Sequence, residues 1–228
     1  MVAWISIKFP YPDAMGAMVF TPSRDSGKQR QFRSALEETF QKRDLVHLAA
    51  GSSVPLLRNH IWLVVRGMVK LSSITLQGDE LLLGLAGPNE PFGAPLSHLE
   101  LTEATTLCDS DVLCLSMEEI QGSPHLAMAL VRAMASRMRQ SESLISLLGL
   151  RRVEDRVRGF LELLAEDYGQ PCDQGLQLNL RLTHQDLASA LSTTRVTVTR
   201  VLGLLRDEGW LQILANRQLV VTHLPQKH

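Results

Sequence analysis

Between Leu45 and Leu115 the apolar residues come in short runs that stop at turn residues. Leu45–Leu48 ends toward Gly51, Ile61–Val65 at Gly67, Met68–Leu71 runs on to Ile74 before Gln77-Gly78-Asp79, and Leu81–Leu85 stops at Gly87-Pro88. Val112–Leu115 follows later. Strands of this length and spacing predict a compact antiparallel barrel or sandwich, with glycines at corners that need positive φ or a close backbone approach. Past Ser123-Pro124, a cap followed by a proline at the first helical position, the period changes. Ala127, Val131, Met134, Met138, Ser141, Ile145 and Leu148 are spaced 4, 3, 4, 3, 4, 3, a heptad seam with no breaker before Gly149. Leu126, Leu130 and Ala133 form a second, adjacent stripe. One stripe suits the chain's own barrel and the other a partner, which predicts a parallel homodimer; packing on the barrel alone is the competing reading.

A second helix is predicted over Arg152–Tyr168, with Val157, Phe160, Leu161 and Leu164 on one face and Gly149 as a hinge before it. Residues 169–175 read as a loop, and Leu176–Leu180 alternates as a strand. Thr183 then caps a helix whose inward face is Leu187, Ala188 and Leu191, with Asp186 favouring its N-terminus. After the turn Leu191-Ser192-Thr193, a helix starting near Thr194 buries Val198, Val201, Leu202 and Leu205. Its outward face is Arg195, Val196, Thr199 and Arg200, with Thr197 at the edge. Trp210–Leu214 and Gln218–Thr222, turning at Ala215-Asn216-Arg217, complete a winged helix-turn-helix. An outward face of arginines, hydroxyls and one methyl-bearing side chain suits major-groove reading: arginine pairs bidentately with guanine, and an apolar group meets the thymine methyl. Arg217 at the wing tip is placed to reach a phosphate.

Composition changes this picture little. The net charge of −1 does not advertise nucleic-acid binding, but from Arg181 onward five arginines and Lys227 face only Asp186, Asp207 and Glu208. Cys108, Cys114 and Cys172 have no CxxC spacing, which excludes a disulfide framework and a zinc or iron–sulfur site and fits thiols of a reducing cytosol. No run suits a membrane span and no signal peptide opens the chain, so a cytoplasmic location without a membrane partner is expected. Residues 1–28 read as a poorly ordered extension, within which Met15 or Met18 are alternative starts, and Gln29–Ala35 as a short helix. The expected organisation is therefore α+β: extension 1–28, barrel 29–122, dimerisation helix 123–149 and winged helix-turn-helix 150–228. No Ser/His/Asp order, metal-ligand spacing or phosphate loop points to an enzyme.

Barrel, long helix, hinge and winged helix-turn-helix in this order resemble the Crp/Fnr superfamily of transcription regulators, over nearly everything after about residue 30. The run from Ser192 to Arg200, STTRVTVTR, is closely similar to the recognition helix of that superfamily's cyanobacterial nitrogen-regulator branch. The catabolite-activator branch has a glutamate where Val196 stands. The resemblance implies a jelly-roll barrel of the cyclic-nucleotide-binding type, double-stranded DNA as partner, and RNA polymerase or a co-regulator as further partners. It also implies base and phosphate contacts by Arg195 and Arg200, and a palindrome of GTA/TAC-type half-sites.

The same resemblance supplies an effector test. Cyclic-nucleotide-binding members use a glutamate and an arginine after a Phe-Gly turn; here Phe92-Gly93 is present, but no arginine occurs between Gly67 and His125. A buried phosphate would lack its cation, so cyclic AMP is not expected. The nitrogen-regulator branch binds 2-oxoglutarate through the Phe-Gly turn, an arginine after it, and an arginine and a glutamate on the long helix. Phe92, Gly93, Arg137 and Glu142 match, and the arginine after the turn is missing. Arg137 and Glu142 also flank the seam, where charged residues are ordinary, so a structural role and a ligand role both stand. Haem ligation by His98 or His125 and thiol sensing at Cys108 or Cys114 rest on lone residues. A sensor acting mainly through protein contacts, with a vestigial helix-turn-helix, is the alternative function. No cofactor is expected, with 2-oxoglutarate as the one ligand the resemblance leaves open.

Overall fold

The computed structural model describes residues 44–76, 78, 80–99, 102–180, 182–214 and 218–222. The expected N-terminal extension, the Gln29–Ala35 helix and the wing tip at Arg217 lie outside the described residues.

Among the described residues seven strands build the barrel: β1 (Val46–Leu48), β2 (His60–Arg66), β3 (Val69–Ile74), β4 (Glu80–Ala86), β5 (Pro91–Phe92), β6 (Thr102–Thr106) and β7 (Ser110–Ser116). They form two antiparallel sheets, ordered β1-β7-β2-β5 and β4-β3-β6. Trp62 and Val64 of β2 meet Val69, Leu71, Phe92, Ala104 and Val112 in an apolar interior, while Ile61 and Leu63 turn to the opposite face and meet Leu126 and Ala129. A strand covered on both faces explains the unbroken apolar run from Ile61 to Val65. Gly67, at φ 94°, turns β2 into β3 where a Cβ would collide with Ser110. Two strands depart from expectation. Thr102–Thr106 carries one apolar side chain in five, Ala104, and is held by its ladder to β3; Pro91–Phe92 is only two residues long.

Helix α1 (Met117–Gly122) starts with a capping box, Ser116 accepting from the Glu119 amide and the Glu119 side chain accepting from the Ser116 amide. The long helix α2 (Pro124–Leu148) follows, capped by Ser123 with Pro124 at its first position and ended by Gly149. Leu126, Ala129 and Ala133 are buried, whereas Val131, Met134, Met138, Ile145 and Leu148 are exposed, Met138 by 65% and Ile145 by 69%. The two stripes thus face different ways. Helix α3 (Val153–Tyr168) buries Val157, Phe160, Leu161 and Leu164.

The C-terminal sheet is ordered β10-β11-β9-β8, from β8 (Gln170–Cys172), β9 (Gly175–Leu178), β10 (Leu211–Ile213) and β11 (Leu219–Val221). Residues 170–172, expected as loop, pair with β9 as a short hairpin; Pro171 between Gln170 and Cys172 conceals the strand, which the neighbouring β9 imposes. Helices α4 (His184–Ala190) and α5 (Arg195–Asp207) complete the unit. Its core is continuous with the barrel: Met68, Leu85 and Leu107 join Leu144, Leu147, Val157, Leu187 and Leu202 in one buried cluster.

Candidate nucleic-acid interface

Thr183 caps α4 reciprocally. Its hydroxyl accepts from the Asp186 amide at 3.1 Å, and the Asp186 carboxylate accepts from the Thr183 amide at 2.8 Å. Leu187, Ala188 and Leu191 are buried. The turn passes through Ser192 at φ 48°, a left-handed residue that lets the chain reverse within a few positions. Arg156 of α3 donates from Nη1 to the Leu191 carbonyl at 2.8 Å, closing the C-terminal end of α4. Sequence reading missed this residue, because a lone arginine on a helix surface carries no signal of its distant acceptor.

Thr194 then caps α5, accepting from the Thr197 amide at 3.2 Å. Val198, Val201, Leu202 and Leu205 are buried, an i, i+3, i+4, i+7 stripe that forces the remaining face outward. Arg195, Val196, Thr199 and Arg200 are exposed together on that face, Val196 by 79%, and Thr197 is half-buried at its edge. Among the described residues no acid pairs with Arg195 or Arg200. The Thr199 hydroxyl is engaged: it donates to the Arg195 carbonyl at 2.9 Å and lies 2.7 Å from Nδ1 of His184. That leaves Val196, the Thr199 methyl and the two guanidiniums as the groups free to meet a ligand. Arg158 stacks 4.8 Å from the Trp210 ring centroid and bonds Glu208 at 2.5 Å, tying the strand after the helix to α3.

The resemblance-derived effector residues stand in different surroundings. Phe92 is buried in the apolar barrel interior, and Gly93, at φ 149°, closes on the His60 carbonyl where a Cβ would lie 2.8 Å away. Arg137 is turned to the barrel edge, donating from Nη1 to the Leu85 carbonyl at 2.5 Å, and Glu142 is exposed. Beside Arg137 runs a polar chain: Gln140 accepts from the Leu85 amide at 3.0 Å and donates to Tyr168, which donates to Glu90 at 2.8 Å. Burial lowers the Arg137 pKa, opposed by Glu90 and Tyr168. Burial, reinforced by Glu90, raises the Tyr168 pKa well above its ordinary value, so the hydroxyl stays protonated as a donor. Among the described residues no cluster of His, Cys, Asp or Glu is arranged to hold a metal, and no helix is long and apolar enough to cross a membrane.

Residues 155–226 match the Crp-like helix-turn-helix domain. A global nitrogen regulator of the cyanobacterium Nostoc sp. is 30% identical over 198 residues, covering 82% of this chain and 85% of its own. Regulatory protein CysR of Synechococcus elongatus is 35% identical over 173 residues, covering 75% of this chain and 80% of its own. The fold is shared with a Crp-family transcriptional regulator of Thermus thermophilus, with a TM-score of 0.67 at 20% identity over 78% of this chain and 92% of that one. The protein is a transcription regulator of α+β architecture, ending in a helix-turn-helix; it belongs to the Crp/Fnr family. Within that family it stands close to the cyanobacterial nitrogen regulators.

Proposed function

We propose that the chain acts as a homodimer that reads a palindromic DNA site through the major groove, with α5 as its recognition helix. The observation that carries this reading is the exposed face of the first two turns of α5, with no acid before Asp207, where Arg195, Val196 and Arg200 stand together. An arginine reads guanine O6 and N7, and Val196 suits a thymine methyl, which accords with GTA/TAC-type half-sites. Thr183, Thr194, Thr197 and Thr199 lie beside this face and serve phosphate or edge contacts, with Arg217 of the wing as a phosphate contact. The exposed seam Val131, Met134, Met138, Ile145 and Leu148 supplies the second copy, because five large apolar side chains in heptad register are covered by a matching helix. Residues 29–122 serve as the sensor barrel, 123–149 as the dimer helix and 150–228 as the DNA-binding unit. The role is regulatory rather than catalytic, in the cytoplasm, with RNA polymerase or a co-regulator as the downstream partner.

The barrel does not take cyclic AMP in this reading, since its interior beside Phe92 is filled by Trp62, Val64, Leu71 and Val112 and holds no arginine. One observation favours a carboxylate-bearing effector such as 2-oxoglutarate: among the described residues the half-buried Arg137 forms no ion pair and has a main-chain carbonyl as its partner. A gel shift or footprint on the selected palindrome tests the DNA reading. Replacing Arg195 and Arg200 by alanine abolishes specific binding; survival of the footprint in the double variant refutes the assignment and leaves the protein-contact sensor. Calorimetric titration with 2-oxoglutarate and with cyclic AMP tests the effector, and tight cyclic AMP binding refutes the barrel argument.

A further inference from the structure

Lys70 is the only lysine or arginine between Gly67 and His125, and it points out of the barrel at the helix-turn-helix. Its side chain, 13% exposed, places Nζ 2.7 Å from Asp186 Oδ1 and 2.8 Å from Glu80 Oε1. The Asp186 side chain is 10% exposed, and its other oxygen accepts from the Thr183 amide and, at 2.6 Å, from the Thr183 hydroxyl. One carboxylate therefore closes the N-terminus of α4 and fastens that helix to strand β3, across 116 positions of sequence. Burial alone lowers the Lys70 pKa and raises that of Asp186, yet their hydrogen bonds and mutual attraction outweigh burial in both: Lys70 ends raised and Asp186 lowered.

Attachment of the two parts does not need these charges. Met68, Leu85 and Leu107 already merge with the core of the C-terminal unit, and a buried ion pair contributes little stability beyond an apolar contact of similar size. What apolar packing lacks is direction. A lysine held between two carboxylates, one of them fixed by a helix cap, accepts a single rotation of α4 on the barrel. Helix α5 packs directly on α4, Leu187 and Leu191 sharing a buried cluster with Val198 and Leu202, so the same contact sets where Arg195, Val196 and Arg200 point relative to α2. In this docked arrangement the reading face remains exposed. A palindrome demands two such faces about 34 Å apart, a distance that small rotations of each unit change.

We propose that Lys70, a barrel residue, is a positioning residue for DNA reading: through Asp186, with Glu80 as the second anchor, it fixes the orientation of the helix-turn-helix. The inference rests on the proposed palindromic reading. The test uses the full-length protein and compares a full palindrome with a single half-site in the same flanking DNA, for wild type, Lys70→Met, Asp186→Asn, the double variant, Lys70→Arg, and Arg195→Ala as a control. Lys70→Met is expected to weaken palindrome binding about tenfold while changing half-site binding less than about twofold. Asp186→Asn, which breaks the pair from the other side and keeps a capping oxygen, gives a similar loss, the double variant adds little to either, and Lys70→Arg retains most of the affinity. Unchanged palindrome affinity in Lys70→Met and Asp186→Asn, or equal losses on palindrome and half-site, overturns the proposal. If Arg195→Ala also binds the palindrome like wild type, the underlying DNA reading has failed instead.

Discussion

Gln140 and Tyr168 meet at 2.6 Å, Nε2 donating to Oη, and join the buried side of α2 to the last residue of α3. The Tyr168 hydroxyl in turn donates a hydrogen bond to Glu90, which also accepts from the Gly87 amide at 2.8 Å, so the turn between β4 and β5 is drawn into the same chain. Gly87 belongs to this contact sterically, because a Cβ there would run into the Tyr168 ring. Helix α2, helix α3 and the barrel are thereby bonded through one phenol.

Removing that phenol tests its weight. Tyr168→Phe keeps the ring on Gly87 but strips Gln140 and Glu90 of a partner, and Gln140 is 7% exposed. A loss of about 1–3 kcal/mol is expected, read from urea or thermal unfolding of the full chain. A change below about 0.5 kcal/mol would show that solvent replaces the hydroxyl.

The neighbouring Asp167 has its pKa raised to about 6, by burial first and then by Glu90 and Glu166. A folded-state pKa above the ordinary 3.8 means that the native state holds the proton more tightly than the unfolded chain. This side chain therefore costs nothing below the lower value, and its penalty grows as pH rises through the window and is complete above about 6. The side chain is nevertheless exposed to solvent, and screening holds the penalty to about 1 kcal/mol at most. Asp167→Asn is expected to raise the melting temperature by about 2–4 °C at pH 7 and leave it unchanged at pH 3.5. A gain of equal size at both pH values points away from titration.

The seam on α2 makes a prediction about assembly. Met138→Glu together with Ile145→Glu places two charges on the proposed dimer seam, and leaves the monomer unstrained because both positions are exposed. Each side chain contributes about 1.5–3 kcal/mol when covered, so the pair converts a dimer to a monomer at micromolar concentration. Light scattering after size exclusion reads the mass directly. A dimer that persists moves the interface elsewhere.

Val196 separates specificity from stability. It is 79% exposed and packs on nothing that holds the fold, so Val196→Glu is expected to change unfolding free energy by less than about 0.5 kcal/mol. Selection from a random-sequence pool is expected to show one base position altered in each half-site, at about 1–3 kcal/mol of discrimination. An unaltered consensus would remove Val196 from the reading face.

The helix-turn-helix was legible nearly to the residue: Thr183 and Thr194 were expected at the helix starts and are the caps, and the stripe Val198, Val201, Leu202, Leu205 is buried as its spacing required. Caps and 3.6-residue periods are local signals, and local physics decided them. Strand β6 was missed because Thr102–Thr106 has no apolar alternation of its own and exists through its ladder to β3. Strand β8 was missed for the same reason.

Local periodicity and capping determined that this chain would form short strands, then a long two-striped helix, then a winged helix-turn-helix with a cationic face. Those properties depend on residues within a few positions of one another. The tertiary structure alone decided which distant groups meet: Lys70 with Asp186, Arg156 with the Leu191 carbonyl, and Gln140 with Tyr168 and Glu90. A lone lysine, arginine or tyrosine has no period and no cap to announce its partner. Its pairing is set by how the apolar surfaces of the barrel, α2 and α3 come together, and only their packing brings those polar atoms within bonding distance.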